Sequence, residues 1–377
     1  MAEDPLADDA HPQPPTHAER ARTAEAGLAR SLVGRPPVTP DAELRDLADV
    51  AASLTDPLQW DRYGEHGPVA ALERRLAGLL GKPAAALFPS GVMAQQSMLR
   101  VWCDASGSRR VAIPALSHLL RHEGDGPRLL HGFDFALLTD GPSVPLVEHL
   151  TAIHGPLGAA LLEPPLRDGG HLLPSWDELV AFGQACRARG VPLHLDGARI
   201  WESAPCLGHT PAEIAAVADS VYVSLYKGLG GLAGAAVAGP VDQVEQARLW
   251  RTRMGGTLFS LLPYAVAGLR GLDRELPRMA EYHERALLLA QRLEAAGIPV
   301  SPSPPQTNAF RVHVEGEVGD LDERRVRAME QQQVRLSPPW VASETPGWSW
   351  TELVVGPATM EWDLDEAVAT LVRAYLA

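Results

Sequence analysis

Two short segments, LHLDGAR (193–199) and VSLYKGLGG (223–231), decide the fold. In each segment an apolar run leads into a charged residue, Asp196 in the first and Lys227 in the second. If both runs are strands of one parallel sheet, the two side chains emerge at its carboxyl edge, where ligands of open α/β folds bind. A lysine there can form an imine with an aldehyde cofactor, and a carboxylate can keep a pyridine nitrogen protonated. The pair therefore favours a cofactor site over an ordinary salt bridge.

Similar apolar runs recur on both sides of this pair and alternate with amphipathic segments. Strands alternating with helices of about 10 to 15 residues predict βαβ units and a mainly parallel sheet. Strands are expected at AAALFPSG (84–91), RRVAIPA (109–115), FDFALLT (133–139), LGAALLEPP (157–165) and AGAAVAG (233–239), with helices such as SWDELVAFGQACRARG (175–190) between them.

This pattern predicts an α/β protein with two domains. The Pro- and Asp-rich start, at 1–17, is expected to be a disordered tail. A helical segment at 18–54 should pack with the smaller domain. We expect a large domain with the mainly parallel sheet at 55–270 and a smaller C-terminal α/β domain at 271–377.

The composition and charge of the chain argue against nucleic-acid and membrane partners. The 377 residues carry a formal net charge of −14 without a prominent cluster of Lys and Arg, so no nucleic-acid partner is expected. The chain has no run of about 18 apolar residues, and its acidic start lacks the basic region of a signal peptide. The three cysteines have the spacing of neither a zinc site nor a disulfide framework. We therefore expect a cytoplasmic protein with no membrane partner.

Two further segments add to a cofactor site. FPSGVMAQQ (88–96) is a strand, a tight turn and a helix start, which present backbone N–H groups and a helix dipole to a phosphate. SHLLRHEGDG (117–126) offers His118, which can lie flat on a pyridine ring. His118 and His122 also have the i, i+4 spacing of a metal pair, but the sequence offers no third ligand, so no metal is expected.

Together these segments resemble the threonine aldolase / β-eliminating lyase family, which are fold-type I enzymes dependent on pyridoxal 5′-phosphate (PLP). The most specific matches are LHLDGARIWESA (193–204) and VSLYKGLGGLAGAAVAGP (223–240). YGEHGPVAALERRLAGLLGK (63–82), the phosphate turn and the histidine segment are similar to further family motifs. The resemblance implies a fold-type I architecture, PLP as cofactor and an amino acid as substrate.

The resemblance also implies roles for individual residues. Lys227 would be the Schiff-base lysine, Asp196 the partner of the pyridine nitrogen and His118 the residue stacked on the ring. We expect catalytic roles for Lys227, His118 and His122, and substrate binding by Arg199, Arg167 and Tyr63. Of these, the roles of His122, Arg167 and Tyr63 are hypotheses that do not rest on a match to a family motif. The implied cofactor-binding residues are Ser90, Gly91, Val92, His118, Asp196, Arg199, Ser224 and Lys227.

The chain departs from the family pattern where the substrate would bind. Val92 stands where the family's phosphate turn usually has threonine, and Leu166 in EPPLRDGG (163–170) stands where it has a histidine, with Arg167 beside it. Glu352 and Phe259 align with two family arginines. The cofactor residues are therefore retained while the substrate residues differ.

The expected function is carbon–carbon cleavage of a β-hydroxy-α-amino acid to glycine and an aldehyde. β-Elimination, or another PLP-dependent reaction on an amino acid other than threonine, is the alternative. GLGGLA (228–233) also fits a loose dinucleotide-binding pattern, although no acidic residue ends a strand about 20 residues later. A non-catalytic binding protein with this fold is the remaining alternative.

The resemblance further implies a homodimer or homotetramer, because fold-type I enzymes have their sites at subunit interfaces. Tyr63 with its YGEHG segment, or MGGTLFS (254–260), would reach a neighbour's site.

Overall fold

The structure, a computed structural model, describes residues 15–54 and 60–376. Most of the predicted tail at 1–17 lies outside the described residues, but Thr16 caps the first helix, which begins at His17. The strands are β1 (Arg30–Ser31), β2 (Ala84–Phe88), β3 (Arg110–Ile113), β4 (Asp134–Leu137), β5 (Ala159–Leu162), β6 (Leu193–Asp196), β7 (Ser220–Ser224), β8 (Ala235–Gly239), β9 (Val300–Ser301), β10 (Ala309–Glu315), β11 (Val334–Arg335), β12 (Val341–Ala342) and β13 (Trp348–Val354).

Helices occupy most of the chain between these strands. They are α1 (His17–Ala26), α2 (Pro40–Ser53), α3 (Gly67–Leu79), α4 (Gly91–Ser106), α5 (His118–Arg121), α6 (Gly126–His131), α7 (Val147–Ala152), α8 (Trp176–Ala188), α9 (Ile200–Leu207), α10 (Pro211–Ala216), α11 (Val241–Arg253), α12 (Leu262–Arg274), α13 (Met279–Ala295), α14 (Val318–Gln332), α15 (Pro357–Met360) and α16 (Leu364–Tyr375), with a short 3-10 turn at Leu276–Arg278.

A seven-stranded sheet forms the centre of the fold, in the order β2-β8-β7-β6-β5-β3-β4. Strand β8 is antiparallel to both of its neighbours, whereas β7, β6, β5, β3 and β4 are parallel. Both faces of the sheet are buried: Ala85 and Leu87 of β2 belong to one apolar cluster, and Ala86 and Phe88 to another. Burial on both faces explains why these strands are continuous apolar runs. The α/β fold predicted from the sequence is confirmed.

A second, four-stranded antiparallel sheet has the order β12-β13-β10-β9. Residues of β13 alternate between buried and half-buried positions, as expected for a strand with only one covered face. This sheet uses residues between 300 and 354, within the segment predicted to form the smaller domain. The exact domain boundaries stay a prediction.

The N-terminal segment divides between the two parts of the fold. Helix α1 packs on α14 through Ala24, Val326 and Met329, and β1 pairs in parallel with β11. Helix α2 packs instead on α12, where Leu47 contacts Val266 and its neighbours. Only the first half of the segment therefore packs against C-terminal elements, because the apolar face of α2 matches that of α12.

No helix among the described residues has both the length and the apolar character needed to cross a membrane.

A buried arginine holds α2 on α12. The side chain of Arg270 is 2% exposed and pairs with Glu43 at 2.6 Å and Asp46 at 2.8 Å. It also donates a hydrogen bond to the carbonyl oxygen of Gly230 at 3.1 Å. The guanidinium thus joins α2, α12 and the loop that follows Lys227.

We expect Arg270→Met to lower the free energy of unfolding by about 3 kcal/mol, because it leaves two carboxylates and a carbonyl without their partner. Arg274→Met is the matched control, since Arg274 also pairs with Asp46 but is 53% exposed. We expect Arg274→Met to lower the free energy of unfolding by less than about 1 kcal/mol. Urea unfolding of both variants measures the difference, and equal losses would contradict the structural role of Arg270.

Candidate active site

Three neighbouring strands end in ionisable residues at one edge of the large sheet. Asp196 is the last residue of β6, Glu163 follows β5 directly, and Lys227 follows β7 by three residues. Because β5, β6 and β7 are parallel neighbours, their carboxyl ends meet at the same edge. The structure thus brings together the aspartate and the lysine that the sequence predicted.

Asp196 is buried and held by two donors. The side-chain amide of Gln95 donates to Oδ2 at 2.6 Å, and the backbone N–H of Ala198 donates to Oδ1 at 3.1 Å. Two hydrogen bonds of this kind fix the orientation of the carboxylate. No local pattern in the sequence indicates Gln95, which lies on the buried face of α4.

Lys227 has a lowered pKa. Burial is the largest cause and the charge of Arg199 adds to it, while the carboxyl groups of Asp196, Glu163 and Glu202 oppose the change. Within residues 15–54 and 60–376, no hydrogen bond or ion pair holds its Nζ. A lysine that loses its proton readily and has no fixed partner is suited to nucleophilic attack on an aldehyde.

Glu163 links two loops beneath the site. Its Oε2 accepts the backbone N–H of His118 at 2.9 Å, and its Oε1 accepts that of Arg167 at 3.2 Å. Burial, reinforced by the nearby charge of Asp196, raises the pKa of Glu163 to about 7. Its place at the end of an apolar run is the same signal that identified Asp196, and it could have been found in that way.

A second buried acid lies against the lysine loop. Glu202 of α9 is buried, and burial raises the pKa of its carboxyl group. A Cβ atom at Gly228 would overlap the carboxyl group of Glu202, so only glycine fits directly after Lys227.

The turn before α4 has the form of a phosphate site. Ser90 caps the helix, its Oγ accepting the backbone N–H of Met93 at 3.3 Å. A Cβ atom at Gly91 would overlap the hydroxyl group of Tyr222, so the turn needs glycine there. Ser224 is buried and its hydroxyl has no hydrogen-bond partner in the described part of the chain. An anion at the start of α4 would be stabilised by free N–H groups and the helix dipole.

The two predicted histidines lie side by side. The rings of His118 and His122 are 5.0 Å apart between centroids and tilted by 45°. Nδ1 of His118 is 3.6 Å from the buried carboxyl group of Glu123, whereas Nε2 of His122 is 2.6 Å from Asp168. Among the residues that the structure describes, no group of three or more His, Cys, Asp or Glu is placed to hold a metal ion.

Arg167 is held by a residue of the second sheet. Its Nε is 3.2 Å from Glu352 of β13, and the same carboxylate is 2.9 Å from Nε2 of His171. Burial lowers the pKa of His171. The pKa of Glu352 lies well below its ordinary value, because His171 and the charges of Arg167 and Arg199 outweigh the opposing effect of burial. No local pattern in the sequence indicates His171, which is distant from Glu352 along the chain.

Tyr63 lies in a different environment from the Lys227 group. Its backbone N–H donates to the carbonyl oxygen of Phe259 at 2.9 Å, and the two rings meet edge to face at 5.5 Å. Tyr63 lines a cavity of about 620 Å³ whose walls include Arg248 and Arg251 but not Lys227. The two segments predicted to reach a neighbouring subunit thus contact each other.

The residues at the sheet edge fit PLP. Asp196 is an oriented buried carboxylate suited to a protonated pyridine nitrogen. Lys227 offers an amine without a fixed partner, and the turn at Ser90 and Gly91 with the unpartnered hydroxyl of Ser224 suits a phosphate. The charge of Arg199 acts on Lys227 and Glu202 at the sheet edge and also on Glu352 of the second sheet.

Comparison with known proteins identifies close similarities. The family model described as beta-eliminating lyase matches residues 39–317. Low-specificity L-threonine aldolase 1 of Arabidopsis thaliana is 30% identical over 68% of this chain and 74% of its own length. An aromatic amino acid beta-eliminating lyase/threonine aldolase candidate from Exiguobacterium sp. 255-15 is 35% identical, with a TM-score of 0.87 over 94% of this chain and all of that one. A candidate L-allo-threonine aldolase from Listeria monocytogenes EGD-E is 33% identical, with a TM-score of 0.87 over 96% of this chain and 99% of that one.

The raised pKa of Glu163 makes stability depend on pH. The folded protein binds this proton more tightly than the unfolded chain does. The stabilisation that protonated Glu163 gives to the folded state is therefore complete below about pH 4.5 and is lost as the pH rises through about 7. In the cofactor-free protein, the free energy of unfolding of the wild type should fall by up to about 3 kcal/mol relative to Glu163→Gln between about pH 4.5 and pH 8.

Urea unfolding across this range measures the difference between the two proteins. Glu148→Gln, a change of an exposed glutamate, is the control and should run parallel to the wild type. A constant difference between wild type and Glu163→Gln at every pH would contradict the assignment.

Proposed function

This chain belongs to the β-eliminating lyase family, and from that premise we propose that it cleaves a β-hydroxy-α-amino acid to glycine and an aldehyde as a PLP-dependent lyase. The observation that carries the proposal is the half-buried amine of Lys227, whose pKa is lowered and which lies at the same sheet edge as the oriented carboxylate of Asp196. An amine and a carboxylate in this arrangement suit a cofactor that has an aldehyde group and a protonatable ring.

PLP is the cofactor of this family, and this chain's residues can hold it. Lys227 would carry it covalently, Asp196 would contact the ring nitrogen and His118 would lie on the ring. The turn formed by Ser90, Gly91 and the backbone of Val92, with the hydroxyl of Ser224, would hold the phosphate. When bound, PLP withdraws electrons from the bonds at the substrate's Cα.

Two arginines are candidates for binding the substrate carboxylate. Arg199 follows the strand that carries Asp196, and Arg167 follows the strand that leads to Glu163. Glu352 fixes the guanidinium of Arg167 from the second sheet. We propose that Arg167 takes over carboxylate binding at the point where Glu352 replaces a family arginine. Glu352 and Asp168 orient Arg167 through Nε and Nη1, which leaves Nη2 available.

The class of substrate follows from the relatives. Their names give L-threonine and L-allo-threonine as substrates, both of which are β-hydroxy-α-amino acids. In this chain Leu166 stands where the family has a histidine, and its side chain is buried. The proposal is therefore a β-hydroxy-α-amino acid as a class, without a commitment to threonine.

β-Elimination is a second candidate function. The matching family model is described as beta-eliminating lyase, and the Exiguobacterium structure carries both activities in its name. Such a reaction starts with loss of the Cα proton, for which Lys227 is the natural base, and ends with a 2-oxo acid and ammonia. The products therefore distinguish the two functions.

We also propose that the protein is a homodimer or homotetramer in the cytoplasm. Two large aromatic side chains in contact, Tyr63 and Phe259, are 56% and 61% exposed, and a second subunit would cover them. The three cysteines are free thiols, as suits a reducing compartment.

Lys227 should become covalently linked to PLP. The purified protein with PLP should show a visible absorption band that borohydride removes, leaving a stable adduct on the peptide that contains Lys227. Peptide mass spectrometry locates the adduct. Lys227→Ala should show neither the band nor the adduct, and an adduct on Lys82 instead would contradict the assignment of Lys227.

The products of cleavage should be glycine and an aldehyde. Incubation with L-threonine, L-allo-threonine and phenylserine, followed by chromatography of amino acids and aldehydes, measures them. Pyruvate or another 2-oxo acid with ammonia would establish β-elimination in place of aldol cleavage. Lys227→Ala is the control and should form neither set of products, because it lacks the amine that holds the cofactor.

A further inference from the structure

The closest pairing of a histidine with a carboxylate in this region joins two loops of the sheet edge. Nε2 of His122, after β3, is 2.6 Å from Oδ2 of Asp168, after β5. A carboxylate at this distance accepts the Nε2–H hydrogen bond and leaves Nδ1 as the basic nitrogen. Nδ1 of His122 has no hydrogen-bond partner in the described ranges, and the side chain is 43% exposed, so a substrate can reach it.

Asp168 is itself fixed by a short hairpin. Leu166 and Leu172 exchange backbone hydrogen bonds of 2.8 and 3.3 Å, which close the hairpin around Asp168. The guanidinium of Arg311, from the second sheet, donates to the carbonyl oxygen of Asp168 at 2.8 Å. Arg167 contacts the other carboxylate oxygen at 3.3 Å. The carboxylate therefore has its position before any substrate arrives, as a residue that orients a base requires.

The pair lies beside the Lys227 group. The backbone N–H of His118 donates to Glu163 at 2.9 Å, and the charges of Lys227 and Asp196 act on that same carboxyl group. The His122 ring is the neighbour of the His118 ring, at 5.0 Å between centroids. The ring of His122 therefore lies next to that of His118, the residue expected to stack on the cofactor.

On the basis of the proposed function, we propose that His122 is the general base that takes the substrate's β-hydroxyl proton and that Asp168 is the positioning residue that holds it. Nδ1 accepts the proton, the O–H electron pair forms the aldehyde C=O bond, and the Cα–Cβ bond breaks. The electron pair left at Cα finally binds a proton, which yields glycine. One proton leaves the hydroxyl and one is added at Cα, so the reaction needs no oxidant or reductant.

His118 is not equivalent to His122 in this role. Its Nδ1 faces Glu123, which is buried, has a pKa raised by burial, and also accepts a hydrogen bond from Gln96 at 2.7 Å. His118 is therefore held at the edge of the core, while His122 has an oriented ring with an open nitrogen. The pair of His122 and Asp168 (the dyad) also supplies a base in a chain that has Leu166 at the position of the family histidine.

The test measures removal of the hydroxyl proton separately from exchange of the Cα proton. Cleavage of a β-hydroxy amino acid needs both the base and Lys227, whereas exchange of the glycine α-proton with D₂O needs no hydroxyl base. His122→Gln should lower kcat for cleavage by about 100-fold, and Asp168→Ala by about 10-fold or more, with little change in KM. Proton NMR should show glycine exchange at the wild-type rate in both variants.

Two further measurements isolate the role of Asp168. His209→Gln is the matched control, since His209 also pairs with an acid, Glu213 at 3.7 Å, but on α10, and it should cleave like the wild type. In ¹⁵N-labelled protein at alkaline pH, His122 should carry its proton on Nε2 in the wild type. Asp168→Ala should distribute that proton between the two nitrogens, because the carboxylate that selects the tautomer is lost.

Each alternative outcome overturns a different statement. Cleavage by His122→Gln at the wild-type kcat would overturn the assignment of the base while leaving the proposed function intact. Equal losses of cleavage and glycine exchange would show that the pair is only structural. A wild type that exchanges glycine but cleaves no β-hydroxy amino acid would overturn the proposed function, and the dyad's role with it.

Discussion

The site depends on the placement of one half-buried amine beside three buried carboxyl groups at the edge of the large sheet. Lys227 lies near Asp196, Glu163 and Glu202, whose carboxyl groups are removed from water. Burial disfavours every charge there, so the pKa of the amine falls while the pKa values of Glu163 and Glu202 rise. Asp196 is held by the side-chain amide of Gln95 and the backbone N–H of Ala198, an orientation that suits its proposed role opposite a pyridine nitrogen.

The short hairpin after β5 connects these buried groups to the residues proposed to bind the substrate. Glu163 at its base binds the backbone of the histidine loop, and Asp168 at its tip binds His122. Two residues of the second sheet, Glu352 and Arg311, contact the same hairpin through an ion pair and a hydrogen bond. The residues proposed to bind the substrate are therefore held by contacts between the two sheets, whereas those proposed to bind the cofactor lie at strand ends of the large sheet and at the start of α4. On the proposed function, this division lets the substrate residues differ from the family while the cofactor residues are retained.

The sequence predicted the parts of the site that follow directly from strands. Asp196 and Lys227 were identifiable because each comes after a buried apolar run, and the phosphate turn because a glycine separates a strand from a helix. Glu163 carries the same signal at the end of β5, although the sequence does not predict a role for it. The packing of α2 on α12 was not predicted, because both α1 and α2 have apolar residues and the sequence does not say which surface each one covers.

By itself, the sequence determined the α/β class, the strands that end at the site and the chemistry of the cofactor. The physical reason is that apolar periodicity and the residues at strand ends are local properties, which can be read without knowing what packs against them. Only the tertiary structure decided the partners of those residues: Gln95 on Asp196, Glu202 beneath Gly228, Glu352 on Arg167 and Asp168 on His122. These pairs join residues from about 26 to 185 positions apart, and no local pattern encodes which buried polar groups will satisfy one another.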